Sequence, residues 1–143
     1  MSPTQIYERL LAGIGAGRWS ELADLYAPDV VVEQPMMPPR RLRIEGREEV
    51  RRHFEAAARS GFAITPRHVV MHRTIDPEVV IAEFDYDLRH TGTGRTTTSA
   101  NIQVMRIRDG LIVASRDYHD HLRFAALAGR ATTLAAACEA EVS

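Results

Sequence analysis

Asp117 stands where a strand should be apolar. It closes the run Leu111-Ile112-Val113-Ala114-Ser115-Arg116-Asp117-Tyr118, in which apolar side chains recur at strand spacing. Among apolar neighbours the ionised form of a carboxyl group is penalised and its pKa moves toward neutrality. A group that titrates there can take up and return protons as a general base or acid. The preceding run carries Asn101 and Gln103, whose amides donate hydrogen bonds without changing charge, as stabilising a developing oxyanion requires. Between the runs, Arg108-Asp109-Gly110 reads as a three-residue hairpin loop closed by a left-handed glycine. That loop sets Ile107 opposite Leu111, Met105 opposite Val113, Gln103 opposite Ser115 and Asn101 opposite Asp117. Asn101, Gln103, Met105, Val113, Ser115 and Asp117 then share one face, half polar and half apolar, as in a ligand pocket. Ile102, Val104, Arg106, Ile112, Ala114, Arg116 and Tyr118 form the other face. A two-residue turn would shift this register and part Asp117 from Gln103.

Competing readings accompany each residue. Asp117 could instead pair with Arg116 as a structural ion pair. Asn101, Gln103 and Ser115 could satisfy one another across the hairpin. Gln34, just before Pro35, is either a substrate contact or the polar end of a strand. Glu83, Asp85 and Asp87 alternate with Phe84, Tyr86 and Leu88. Glu83 or Asp85 could supply a second pocket acid, but strand parity favours a solvated acidic face behind a buried aromatic one. Phe84 then reads as pocket wall, and Tyr86 as a hydroxyl donor to a bound carbonyl. His119 and His121 flank Asp120, would share one side of a strand, and lack the HEXXH spacing that gathers ligands on a helix; they read as a solvated rim, and no metal is expected. Cys138, the single cysteine, excludes an intrachain disulfide and reads as a small apolar side chain. Gly92 and Gly94 lack the strand-to-helix setting of a phosphate loop and mark a turn.

These residues need elements to position them. Ile6, Leu10, Leu11 and Ile14 give a helical stripe over 4–15, ended by Gly15-Ala16-Gly17. Ser20 suits the cap of a second short helix that stops before Pro28. A strand follows from Val30 to Pro35, then a loop over 36–43, then a helix over 47–59 with Val50 and Phe54 inward. Strands are expected over 63–73, 79–89, 96–107 and 111–118. A helical segment over 122–140 is interrupted at Gly129. Helices with one early strand, then a meander of long antiparallel strands, make an α+β fold with its sheet curled into a cone around a pocket.

The whole chain sets the outer bounds. Its 143 residues suit one domain, 1–143, with a real core. With 18 basic against 19 acidic side chains and no basic cluster interleaved with aromatics, nucleic acid is not an expected partner. Neither a bilayer-spanning apolar run nor a secretory leader is seen, so no membrane partner is expected and the protein is read as cytoplasmic.

Gly17-Arg18-Trp19, Leu25-Tyr26-Ala27-Pro28-Asp29-Val30, Gly46-Arg47-Glu48-Glu49-Val50, Asp76-Pro77-Glu78-Val79-Val80-Ile81-Ala82-Glu83-Phe84, Gly92-Thr93-Gly94-Arg95 and Leu127-Ala128-Gly129 occur in an order and spacing that are specific together. On these the chain resembles the nuclear transport factor 2-like superfamily, in its SnoaL-like polyketide cyclase and phenazine-biosynthesis A/B branch. The resemblance implies a curved sheet wrapped by helices in a cone-shaped barrel, a deep apolar pocket, and a homodimer joined through the outer sheet face. It places the cyclases' acid/base aspartate on Asp117 and their partner histidine on Gln103. Similarity to limonene epoxide hydrolase would put that enzyme's arginine and second aspartate on Phe84 and Tyr86, and its water-holding tyrosine and asparagine on Val32 and Gln34, which disfavours epoxide hydrolysis. For ketosteroid isomerase the base falls on Gln34. The resemblance also shows a departure, since His119-Asp120-His121 replaces the usual aromatic-Asn-Pro ending, which is either substrate-specific or the solvated rim favoured above.

The expectation is an isomerase, cyclase or dehydratase of secondary metabolism, using Asp117 as proton carrier. Gln103, Tyr86, Gln34, Asn101, Phe84 and Ser115 would contact the substrate, and no cofactor is needed. The alternative is a non-catalytic binding or dimerisation module. A pocket filled by side chains around Asp117 would favour the module; an open one where Asp117 and Gln103 converge would favour the enzyme.

Overall fold

A computed structural model of the chain describes residues 1–143. Helix α1 (Pro3–Gly15) begins with a capping box, in which Gln5 N–H donates to Ser2 Oγ (3.2 Å) and Ser2 N–H to Gln5 Oε1 (2.8 Å). Its stripe of Ile6, Leu10, Leu11 and Ile14 is buried as the spacing requires, and Tyr7 joins it. Short helix α2 (Trp19–Leu22) is not capped by Ser20; Arg18 precedes it without a side-chain hydrogen bond, and a 3₁₀ turn over Ala23–Leu25 leads into β1 (Tyr26–Gln34). The expected loop over 36–43 gives way at its last two residues to a strand, β2 (Leu42–Glu45), before α3 (Arg47–Ala58). Strands β3 (Phe62–Arg73), β4 (Val79–His90), β5 (Thr96–Arg108) and β6 (Leu111–His119) follow, and α4 (His121–Leu127) and α5 (Ala131–Ala140) end the chain on either side of Gly129.

The six strands form one curved, unclosed α+β sheet in the order β2-β1-β6-β5-β4-β3. Every neighbouring pair is antiparallel except β1 and β6, which run parallel because the chain leaves β1 and returns beside it only after the rest of the sheet is built. Helix α1 packs across β3, β4 and β5, and α3 packs on β1 and β2. Val80, Ala82, Phe84, Tyr86 and Leu88 of β4 face this core. On the opposite face of β4, Glu83 pairs with His72 (2.6 Å), Asp85 with His68 (3.0 Å) and Asp87 with Arg67, which is the solvated acidic face that parity required.

The β5–β6 hairpin differs from the expected one. Arg108 lies opposite Leu111, so the turn has two residues, Asp109 (φ 52°) and Gly110 (φ 76°). Two successive positive φ values define a type I′ turn, whose twist matches that of its strands. Ile107 then pairs with Ile112 but Arg106 with Ala114, leaving Val113 as the extra residue of a β-bulge. The bulge restores the phase that the shorter turn removes. Gln103 therefore lies opposite Asp117, Met105 opposite Ser115 and Asn101 opposite His119, whereas the expected pairing set each partner two residues earlier on the same face. Ile112, expected on the outer face, is fully buried, and Val113 is not.

Candidate active site

Between the inner sheet face and α1, α3, α4 and α5 lies an open cavity of about 490 Å³. Sixteen of its 24 lining residues are hydrophobic, so its polar groups are few and converge from different elements. Asp117 and His119 come from β6, Gln103 from β5, Tyr86 from β4, Gln34 from β1, His53 from α3 and His121 from the start of α4.

Asp117 is 8% exposed, while Arg116 points to the opposite face and is exposed, which removes the Arg116 ion pair. Burial pushes the Asp117 pKa up to about 6; Ser115, the nearby His53 and the Gln103 amide each hold it back. Ser115 Oγ donates to Asp117 Oδ1 at 2.5 Å. Two residues apart on one strand, they share a face, so the serine is an internal partner of the carboxylate.

Gln103 is fixed from below. Tyr7 is fully buried in α1, and its hydroxyl donates to Gln103 Oε1 at 2.5 Å. With its oxygen so engaged, Gln103 turns its N–H groups toward Asp117 and the cavity. Tyr7 carried a readable signal, a polar-tipped aromatic three residues before Leu10 on the core stripe, yet it was not among the expected site residues.

The other expected site residues divide. Tyr86 lines the cavity, and burial keeps its hydroxyl protonated. Gln34 lines it too, 5% exposed, with Oε1 sealed and unpartnered. Asn101 does not reach the cavity. Its Nδ2 donates to the Ser99 carbonyl (3.2 Å) and toward the Phe84 carbonyl (3.5 Å), and its Oδ1 meets His119 Nδ1 at 2.7 Å. Ser115 acts through Asp117 instead of lining the space. Phe84 lies behind the wall, packed against Tyr7 (ring centroids 6.4 Å apart) and Tyr86 (5.1 Å).

The histidines correct the expectation of a solvated rim. His53, His119 and His121 all line the cavity. Strand β6 ends at His119, the Asp120 carboxylate caps α4 by accepting from Arg123 N–H, and His121 starts that helix. The chain's turn into a helix, invisible to a strand-parity argument, carries His121 inward. Burial pushes both His119 and His121 down to about 4, so both are neutral at pH 7, and it lowers His53 as well, against the pull of the Asp117 carboxylate. No group of three or more His, Cys, Asp or Glu side chains is placed to hold a metal ion. No helix is long and apolar enough to cross a membrane.

The sequence pattern of the SnoaL-like domain matches residues 7–115. The chain belongs to the SnoaL-like domain family. A curated relative, an uncharacterised PhzA/B-like protein of Pseudomonas aeruginosa, is 34% identical over 123 residues, covering 80% of this chain and 79% of its own. Among solved structures, a provisionally designated isomerase from Bacillus subtilis superposes with a TM-score of 0.81 at 25% identity, over 88% of this chain and 91% of its own. A provisionally designated polyketide cyclase from Xanthomonas campestris pv. campestris gives 0.75 at 18% identity, over 87% and 95%. In this SnoaL-like protein the matched segment stops at Ser115, two residues short of Asp117, so the polar end of β6 is read from its own geometry.

Proposed function

We propose that this SnoaL-like protein is a cofactor-independent acid/base enzyme of the isomerase, cyclase or dehydratase type, acting on an apolar small molecule that bears a carbonyl or hydroxyl group. The observation carrying this reading is the convergence of Asp117 and Gln103 at the wall of an open, mostly apolar cavity. Ionised Asp117 accepts a proton from a carbon next to a carbonyl, or from a hydroxyl about to close a ring. Gln103 N–H, Tyr86 O–H and the Gln34 amide donate to the oxyanion that develops. Protonated Asp117 then returns the proton to another atom of the same substrate, or to a departing hydroxyl as water, and the carboxylate is regenerated.

A closed dimerisation module would fill the space around Asp117 with side chains, whereas the cavity is open; a ligand-binding module would keep it open too, and turnover of Asp117→Asn separates that reading from the enzyme. Epoxide hydrolysis lacks support as well, since Phe84, standing where that chemistry needs an arginine, does not line the cavity. The test is Asp117→Asn, assayed on whichever hydroxyketones or unsaturated ketones the wild type converts. Loss of the proton carrier lowers kcat by roughly a hundredfold to ten-thousandfold. Unchanged turnover in a folded variant sinks the proposal. The same reading takes a homodimer joined through the outer sheet face as the working unit.

A further inference from the structure

His119 is held more tightly than a wall residue needs to be. Asn101 lies opposite it on β5, and the asparagine's orientation is dictated by its other contacts: two backbone carbonyls, of Ser99 and Phe84, face its Nδ2. Rotating the amide would set oxygen against two carbonyl oxygens, so Oδ1 is the atom that faces His119. An oxygen acceptor at 2.7 Å requires a proton on His119 Nδ1. A neutral imidazole carries one proton, which leaves Nε2 as a bare acceptor. Nε2 has no hydrogen-bond partner in the protein and, unlike His121 Nε2, is not sealed from open space. The ring lies nearly parallel to Tyr86, at 24° and a centroid distance of 6.1 Å, which fixes its plane at the cavity.

We propose that His119 Nε2 accepts a hydrogen bond from a hydroxyl or N–H of the substrate, so that the site takes apolar molecules carrying such a donor one strand repeat away from the atom that Asp117 deprotonates. This rests on reading the cavity as the substrate site. Asp117 and His119 share a face two residues apart, which separates their Cα atoms by roughly 7 Å and spans a substituted ring. On the cavity side the titratable groups around His119 are Asp117 on its own strand, Tyr86 on β4, His53 on α3 and His121 on α4; on the outer side it shares a hollow with Asp120, Tyr118, Asp85, Glu83 and His68. Burial, with His53 nearby, pushes the His119 pKa down to about 4, so the acceptor persists at neutral pH.

Two measurements on the intact protein test this. Long-range ¹H–¹⁵N spectra of the ligand-free wild type should show His119 protonated at Nδ1, and 2-naphthol should shift its Nε2 resonance where 2-methoxynaphthalene does not. In titrations with the same two compounds, the ratio of their dissociation constants should favour the naphthol and fall about fivefold in His119→Phe, which keeps the ring but lacks the acceptor. His119 protonated at Nε2, a ratio that His119→Phe leaves unchanged, or a wild type that binds neither compound overturns the proposal. Failure of the proton-carrier reading is seen elsewhere, in the turnover of Asp117→Asn.

Discussion

At pH 7 Asp117 is ionised although its surroundings favour the neutral acid, and the sign of that conflict is measurable. Its folded pKa of about 6 exceeds the ordinary 3.8, so between those values the folded chain binds a proton that the unfolded chain has released. Stability therefore falls as pH rises through this window, by about 3 kcal/mol in total at 1.4 kcal/mol per unit. Asp117→Asn should be more stable than the wild type above pH 6, and the gain should vanish below pH 4, as denaturant titrations at pH 4, 5 and 7 would register. Activity runs the other way: a base must be ionised, so kcat/KM should rise with pH through about 6. Ser115→Ala removes a donor that favours the carboxylate, and should move that midpoint up by about one unit, since a bond to a charged group is worth roughly 1.5–3 kcal/mol. His119 has the opposite linkage. Its folded pKa lies below 6.5, so its contribution to stability is lost as pH falls from 6.5 toward 4.

Helix α1 and strand β5 meet through a single buried bond, Tyr7 to Gln103, and this joins packing to chemistry. Tyr7→Phe leaves Gln103 Oε1 without its donor and frees the amide to turn; it should cost about 1–3 kcal/mol in denaturant unfolding and lower kcat without a matching change in KM. At the start of α3, Gly46 holds φ 90° while its N–H donates to the Val30 carbonyl at 2.7 Å. A Cβ there would meet nothing closer than the Pro28 carbonyl at 3.6 Å, so Gly46→Ala, at φ 90° and ψ 151°, should cost about 1–3 kcal/mol through backbone conformation alone. The long strands and α1 were legible because alternation and the 3.6-residue stripe are local. Register was not, because a two-residue turn with a bulge and a three-residue loop use similar sequence and differ only in which residue is left unpaired. Strand β2 escaped notice as a four-residue edge piece behind Pro38 and Pro39. His121 was misread because its placement depends on where β6 ends and α4 begins. Asp117, Gln103, Tyr86 and Gln34 were readable as inward polar groups; the remoteness of Phe84 and Asn101 from the cavity depends on neighbours that no local pattern specifies.

For the molecule as a whole, the helices cover one face of the sheet and leave the other to solvent or to a second chain. On that open face Ile102 is 41% exposed and lies opposite Tyr118. The dimer proposed above predicts a mass of two chains in sedimentation equilibrium, and Ile102→Lys should move the distribution toward one. The cavity, by contrast, draws its polar groups from β1, α3, β4, β5, β6 and α4, so it exists only when both ends of the chain have met in the parallel β1–β6 pair. Val113 is the spare residue of that sheet. It works as a silent letter: because it faces no partner, its loss would leave Arg106 opposite Ala114 and Gln103 opposite Asp117, with Asp117 and His119 still turned inward. A lineage could thus lose one codon here, straighten the strand, and keep both its fold and this site.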